Sequence, residues 1–285
     1  MQVNNKSISA TTAVFSLQQC DALFAAVLVH DDIDLDAKLP DKIHLDYSQE
    51  QFEQCYRLCQ QIWQQGVTRE ILLATVKKIY SQGYLDQKDQ LKFKYIRAKM
   101  KHFRFACVTF GKEHRYPKRY SQTTRYLGRL QDALKNKQHE NILFTVFRLR
   151  ILLNKVIYSL IVKREIENFQ ITTPALFYQH VINEIDFLRK NLAKDKVTGK
   201  EFHEMRKVIS QQVALYDNLK ILYPSDYHDA MSRFLSTING LMGSRHDTLI
   251  AGKFEGEDNY YIHTFEIPEE IKQRLVELIN KYDEP

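Results

Sequence analysis

KYIRAKMKHFRFAC, residues 94–107, is the stretch of this 285-residue sequence that decides the fold. Its apolar residues Ile96, Met100, Phe103 and Cys107 recur every three or four positions, which predicts a helix with one buried face. At about 100° per residue, the cations at positions 94, 97, 101 and 104 fall within an arc of about 80° beside that face. The stretch therefore predicts a packed helix that carries a row of positive charge.

The positive charge of the chain is concentrated around this helix. Residues 92–166 hold 19 lysines and arginines against four acidic residues, whereas the whole chain has 41 against 35. Like charges on one face repel each other, so an anion that neutralises them stabilises the face. The segregation indicates a polyanionic partner, although an ordinary solvated basic face gives the same pattern.

The remainder of the chain predicts an all-α protein. Only 9 glycines and 6 prolines occur, and neither a glycine-rich phosphate loop nor a serine nucleophile elbow is present. Ser48 and Gln51 have the spacing of a capping box that opens a helix. Further helices are predicted at 69–82, 87–110, 118–136, 138–168, 174–193, 199–222, 226–242, 246–253 and 268–282.

The sequence divides into three parts. Residues 1–47 form an N-terminal segment of unclear structure, in which 23–29 is either a strand or a buried helix. Residues 48–170 are interpreted as a basic first helical bundle and residues 171–285 as a second one. The hinge is predicted near Phe169–Pro174, where the helical pattern breaks.

The cellular context is read from what the sequence lacks. Met1–Leu17 is too polar for a signal peptide, and the apolar run Ile151–Val162 is too short to span a bilayer. Cys55 and Cys59 are four residues apart on a predicted helix, which favours small core residues over metal ligands. We expect reduced thiols, a cytoplasmic location and no membrane partner.

Two acidic features could suggest a metal. The run Asp31–Asp36 lacks the turn glycine of a calcium loop, which favours a solvated acidic loop. The pair His246-Asp247 is similar to a metal pair of helical phosphohydrolases, but the further ligands cannot be assembled. An aspartate that caps or orients a neighbouring arginine is the better interpretation of both Asp132 and Asp247. No metal and no cofactor is predicted.

An internal repeat with a long period is visible. Lys94-x-x-Arg97 begins one basic helix, and His203-x-x-Arg206 begins another 109 residues later. Each is followed by an element in which an apolar residue and a glycine precede an aspartate. These two elements are Leu127–Asp132 and Met242–Asp247, and together the repeats predict two bundles of similar layout.

In this order and spacing, the elements resemble the CHAD family, the conserved-histidine α-helical domain, over about residues 90–285. The family pattern H-x-x-R-x-x-x-R-R-L-R reads K-x-x-R-x-x-x-K-H-F-R from Lys94. The L-G-x-x-R-D element reads L-G-R-L-Q-D from Leu127, and L-G-x-x-H-D reads M-G-S-R-H-D from Met242. Lys94 replaces the naming histidine, and Ser210 and Val213 replace later cations of the second half. This loss of charge suggests that the first half dominates binding.

The resemblance implies both an architecture and an activity. It implies two antiparallel helical bundles related by a pseudo-twofold repeat, which bind inorganic polyphosphate in a basic groove between them. The E-x-E-x-K motif of the triphosphatase domain that often accompanies this family is absent, so no catalysis and no catalytic residue is expected. The predicted polyphosphate-binding residues are Lys94, Arg97, Lys101, Arg104, Arg129, His203, Arg206 and Arg245.

Two alternatives remain open at this point. The basic section could bind RNA or DNA, since phosphates are common to all three polymers, and aromatics such as Tyr95, Phe105 and Tyr116 could stack on bases. Aromatics at helical spacing are more often core residues. The repeat could also be a helical protein-interaction scaffold that recognises an acidic partner. Nothing in the sequence fixes the oligomeric state.

Overall fold

The computed structural model describes residues 15–254 and 262–283, and most of them are helical, which confirms the all-α class. Two short strands, β1 (Val197–Thr198) and β2 (Thr264–Phe265), pair antiparallel with Val197 opposite Phe265. None of the described helices combines the length and apolar composition that a bilayer span requires. The helices are α1 (Leu17–Leu28), α2 (Gln49–Gln64), α3 (Arg69–Gln82), α4 (Gln87–Thr109), α5 (Lys118–Lys135), α6 (His139–Leu152), α7 (Lys155–Ile161), α8 (Pro174–Leu192), α9 (Gly199–Leu222), α10 (Asp226–Phe254) and α11 (Glu269–Asp283).

Several helix boundaries follow directly from capping chemistry. The Ser48 hydroxyl accepts a hydrogen bond from Gln51 N at 3.2 Å, and the Gln51 side chain accepts one from Ser48 N at 2.8 Å, so the predicted capping box is confirmed. Thr198 forms a second capping box with Glu201 at the start of α9. The stretch 23–29, open between strand and helix in the sequence, lies almost wholly within α1.

The single helix predicted over 138–168 is wrong. The chain breaks after Leu153, where the Asn154 side chain accepts a hydrogen bond from Val156 N at 3.0 Å and caps a new helix. A π-helical segment, Val162–Glu167, follows α7. Asparagine favours caps because its side chain competes with the backbone ladder, so Asn154 is the sequence signal for this break.

The two helices predicted over 226–242 and 246–253 are also wrong, because α10 runs through without interruption. Gly243, which follows the predicted end of the first of these helices, is buried inside α10. A Cβ at this position would lie 2.6 Å from Arg206 Nη2. The glycine therefore serves close packing against an arginine, and it is not a helix terminator.

The acidic run Asp31–Asp36 lies along α10 and forms hydrogen bonds with it. Thr237 Oγ1 accepts a hydrogen bond from Asp34 N at 3.0 Å, and Asn239 Nδ2 donates to His30 O at 2.9 Å. The Asp34 carboxylate pairs with Arg233, and these interactions hold the run against the helix. Residues 1–14 of the predicted N-terminal segment lie outside the described residues.

Contacts group the chain into two compact units. The first unit contains the described part of Met1–Cys20 together with Tyr56–Ile171. The second unit contains Asp21–Cys55 together with the described part of Thr172–Pro285. Each unit has its own buried core.

The core of the first unit is built from aromatic rings. Trp63 stacks on Phe103 with 4.9 Å between ring centroids, and Tyr120 meets Phe103 edge-on at 5.5 Å. Aromatic pairs in these geometries contribute about 0.5–1.5 kcal/mol each beyond their buried area. Cys59 and Cys107 are buried in the same core as thiols. This packing fixes the orientation of α4.

The core of the second unit is more polar along the contact of α9 with α10. Asp217 Oδ1 accepts a hydrogen bond from Ser232 Oγ at 2.7 Å, and Lys220 Nζ lies 3.1 Å from the same oxygen. Asn218 Nδ2 donates to Ala214 O at 2.7 Å. Buried polar groups cost free energy unless they are paired, so the Ser232–Asp217 bond favours one register between the two helices, while the other two contacts satisfy polar groups within α9.

Candidate anion-binding site

Helix α4 positions the basic row by burying the apolar side chains beside it. Ile96, Met100 and Phe103 are at most 3 % exposed, as their spacing predicts. The helix begins where the Asp86 carboxylate accepts a hydrogen bond from Asp89 N at 2.9 Å. The cations lie beside this buried face, so their charged ends can reach the surface of the first unit while the helix stays packed.

The four residues of the row differ in exposure. Lys94 is exposed, whereas Arg97, Lys101 and Arg104 are half-buried. The Lys101 ammonium also lies 5.6 Å from the centroid of the Phe105 ring. Partial burial strengthens the field of each charge because less water screens it.

Arg97 lies flat across a glycine of α5. A Cβ at Gly128 would lie 3.2 Å from both Arg97 Nε and Nη2, so any larger residue there would push the guanidinium outward by a few tenths of an ångström. Arg97 Nη1 also donates a hydrogen bond to Gln131 Oε1 at 3.3 Å. The guanidinium is thereby held in one orientation, with donors left for a ligand.

Arg104 is held by aromatic rings. Its guanidinium carbon lies 4.9 Å from the Tyr116 centroid and 5.4 Å from the Phe105 centroid, which are cation–π distances. Burial lowers the pKa of the Arg104 guanidinium, and the nearby charge of Arg125 acts in the same direction. The enclosed Nε has no hydrogen-bond partner within the described residues. An unpaired donor of this kind is what an anion or ordered water satisfies.

Exposed cations surround the half-buried row. Arg125 and Arg129 project from α5, and the Arg129 guanidinium carbon lies 5.6 Å from the Tyr126 centroid. Among the residues that the structure describes, no carboxylate forms an ion pair with Lys94, Arg97, Arg104 or Arg129. These four cations of the first unit therefore keep a positive charge that no carboxylate in the described residues offsets through an ion pair.

The second unit holds a separate cluster around two imidazoles. The rings of His203 and His246 stack with 4.7 Å between centroids. Arg206 crosses Gly243 and donates through Nε to Asn239 Oδ1 at 3.4 Å. The predicted residues His203 and Arg206 therefore lie in one place, and the sequence interpretation missed His246 as their neighbour.

Arg245 is the third predicted residue of the second unit. Its guanidinium carbon lies 5.0 Å from the Phe265 centroid, and its Nε is enclosed without a hydrogen-bond partner in the described part of the chain. The strand pair β1–β2 positions Phe265 for this contact. Arg245 is therefore held by aromatic stacking in the same manner as Arg104.

Charge and burial both act on His246. Burial lowers the pKa of its imidazole, and the positive charge of Arg206 lowers it further, while Asp247 opposes both effects. His246 Nδ1 lies 3.7 Å from Asp247 Oδ1, so this aspartate neighbours a histidine as well as influencing Arg206. The described residues contain no group of three or more histidines, cysteines, aspartates or glutamates that could hold a metal ion.

Two positions of the second-half motif do not reach the surface. Ser210 is 5 % exposed and donates through Oγ to Asn239 Oδ1 at 2.8 Å. Val213 is 1 % exposed and belongs to the core. Both positions face the interior of the second unit, which explains why neither carries a charge.

Comparison of the chain with protein-family models, with curated proteins and with solved structures finds no match. The resemblance to the CHAD family therefore rests on the motif residues alone and stays a prediction.

Proposed function

We propose that this protein binds inorganic polyphosphate, without catalysing a reaction on it, through the basic row of α4. The observation that carries the proposal is the half-buried state of Arg97, Lys101 and Arg104 on one helix face. Holding like charges partly out of water is unfavourable unless an anion compensates them, and neither Arg97 nor Arg104 forms an ion pair with a carboxylate of the described residues. A regular chain of phosphates supplies one negative charge per unit along such a row.

The manner in which the arginines are held supports a phosphate ligand. A guanidinium offers paired donors that match phosphate oxygens, and its affinity rises when the side chain is already fixed before binding. Gly128 and Gln131 fix Arg97, while Tyr116 fixes Arg104. Lysine adds a mobile point charge between them.

Burial of the aromatics favours polyphosphate over nucleic acid. Phe103, Phe105 and Phe110 are at most 3 % exposed, so these rings are not available to stack on bases. Stacking on aromatic platforms is the main sequence-tolerant contact of single-stranded nucleic acid. Of the interleaved aromatics, these three belong to the core, whereas Tyr95 and Tyr116 are half-buried and the Tyr116 ring is covered by Arg104. A ligand that consists of phosphate alone therefore fits the face better.

The second unit is assigned a secondary anion site at His203, Arg206 and Arg245. We infer that the two units are an internal repeat, because an arginine crosses a glycine in both: Arg97 over Gly128, and Arg206 over Gly243. The groove between bundles, the pseudo-twofold and the cytoplasmic location that accompany the resemblance stay predictions.

The test removes two positive charges from the row, and its control removes two positive charges from elsewhere on the protein. Lys101→Gln with Arg104→Gln should weaken binding of long-chain polyphosphate by about a hundredfold, since each charge-assisted hydrogen bond contributes about 1.5–3 kcal/mol. The slope of log affinity against log salt concentration should become shallower by about 1.5. Calorimetry over a salt series measures both quantities.

The matched control is Lys77→Gln with Lys190→Gln, which removes two exposed lysines from α3 and α8. This pair should change the affinity less than threefold if the site is local, because exposed charges act only through a screened field. If the two double variants lose the same affinity for polyphosphate, and circular dichroism shows that both are folded, the binding is general charge attraction and the proposed site is refuted. A nucleic acid competitor of matched charge at equal salt should displace polyphosphate poorly.

A further inference from the structure

One end of the first unit contains an open cleft that the basic row does not explain. The cleft has a volume of about 1050 Å³ and lies where the end of α3, the start of α4, the end of α5 and the start of α6 meet. This volume is near the upper end of the range that small-ligand pockets occupy. Lys94 is the one predicted binding residue among the residues that line it.

The lining combines an aromatic ring with several cations. Tyr84 is 63 % exposed and Leu91 is 49 % exposed, so both present apolar surface to the cleft. Lys88, Lys135 and Lys137 line the same space and are exposed. No aspartate or glutamate occurs among the described residues that line the cleft.

The nearest carboxylates of α4 are engaged elsewhere. Lys78 Nζ lies 2.9 Å from Asp86 Oδ2 and also pairs with Asp89. These ion pairs raise the pKa of Lys78 through hydrogen bonds with Asp89 and Asp86. Lys78 thereby offsets one of the two negative charges at the start of the helix and holds both carboxylates, and the lysines of the cleft keep a positive field.

We propose that this cleft binds a nucleotide, with the base against Tyr84 and the phosphates against the lysines. An exposed ring beside unpaired cations is suited to a ligand that carries both a flat aromatic group and several phosphates, because stacking and charge attraction act together. Inorganic polyphosphate has no ring and would leave Tyr84 unused. The inference is independent of the α4 row apart from the shared Lys94.

The experiment compares three probes: ATP, inorganic tripolyphosphate and adenosine, each with a chelator present so that no metal ion contributes. By calorimetry ATP should bind about tenfold more tightly than tripolyphosphate, as expected from stacking one base, and adenosine should bind weakly. Tyr84→Ala should reduce the affinity for ATP to that for tripolyphosphate. Lys135→Gln should weaken both phosphate ligands.

Matched controls lie on the same unit outside the cleft. Tyr80→Ala removes another exposed tyrosine, and Lys77→Gln removes another exposed lysine. Both should leave ATP binding unchanged. Equal affinity of the wild type for ATP and tripolyphosphate, or an ATP affinity that Tyr84→Ala does not alter, would overturn the inference. Long-chain polyphosphate binding should survive Tyr84→Ala, which separates this result from a failure of the α4 site.

Discussion

The α4–α5 pair of the first unit and the α9–α10 pair of the second unit share one contact and differ in the side chains beyond it. In both, an arginine crosses a glycine of the next helix: Arg97 over Gly128, and Arg206 over Gly243. Four and seven residues later, α4 presents Lys101 and Arg104, both half-buried, whereas the corresponding side chains of α9 are buried. Similar local packing thus supports a charged face in one unit and a closed core in the other.

The difference in charge between α4 and α9 follows from how completely each helix is buried. Residues 208–219 of α9 are buried without interruption, so every side of this part of the helix is covered. A helix covered on all sides cannot keep a row of cations, because each would lose its hydration without a partner. The uncharged residues at 210 and 213 are therefore a consequence of packing, which gives a physical reason for the loss of charge noted in the sequence.

The largest expected effect tests this explanation directly. Val213→Arg restores a cation where the family pattern has one, but the site is only 1 % exposed. We expect a loss of about 3–5 kcal/mol in the free energy of unfolding, the range for an uncompensated buried charge. Urea denaturation followed by circular dichroism measures this loss.

Val213→Leu is the control, because it changes size without charge and should cost about 1–3 kcal/mol through overpacking. The explanation that packing excludes a cation at position 213 is refuted if Val213→Arg is as stable as wild type and binds polyphosphate more tightly. That outcome would mean that position 213 can reach solvent and that the second unit is only a weakened copy of the first.

A smaller change in the free energy of unfolding is expected when the two glycines that the arginines cross are replaced by alanine. A Cβ would lie 3.2 Å from Arg97 at Gly128 but 2.6 Å from Arg206 at Gly243. Alanine favours the helix by about 1 kcal/mol over glycine, which offsets a mild contact. Gly128→Ala should therefore have nearly the stability of the wild type. Gly243→Ala should be less stable than Gly128→Ala by about 1–2 kcal/mol.

Thermal or urea unfolding of both variants measures that difference. Gly240→Ala serves as a positive control, since its Cβ would meet the backbone oxygen of Asp31, which cannot rotate away as an arginine can. Equal stability of Gly128→Ala and Gly243→Ala would show that Arg206 moves as freely as Arg97, and the two contacts would then be equivalent.

The sequence predicted most of the first unit because its signals are local. The spacing of Ile96, Met100 and Phe103 determines which side of α4 is buried, and that placement also positions the cations beside it. Helix starts with a capping partner, such as Ser48, were also readable because the cap is a contact three residues away. Charge counts located the basic section without any tertiary information.

The features that sequence reasoning missed depend on contacts between distant residues. The continuity of α10 through Gly243 was missed, and the packing partner of this glycine, Arg206, is 37 positions away. His246 was visible as part of a motif, but its stacking on His203 depends on how α9 and α10 pack. The cleft beside Tyr84 likewise requires the ends of four helices to meet, which no periodicity encodes.

The smallest expected effect is a difference in pH dependence between the two sites. The cations of the α4 row are lysines and arginines, which stay charged between pH 5 and 8. At the second site, burial and Arg206 lower the pKa of His246 below its ordinary value of 6.5, so its imidazole is neutral at pH 7 before ligand binds. A bound polyphosphate favours the imidazolium, so binding there takes up a proton. Its affinity should rise about threefold to tenfold between pH 7.5 and 5.5.

Calorimetry of wild type and His246→Gln at both pH values isolates this contribution, because any protonation of the ligand itself is common to the two proteins. The variant should show the smaller rise. In the absence of ligand the sign reverses: the folded state disfavours the charged ring, so the wild type should lose stability as pH falls below 6.5, and His246→Gln should lose less. Identical pH profiles of the two proteins in both measurements would remove His246 from the anion site, and any binding by the second unit would then depend on its other cations.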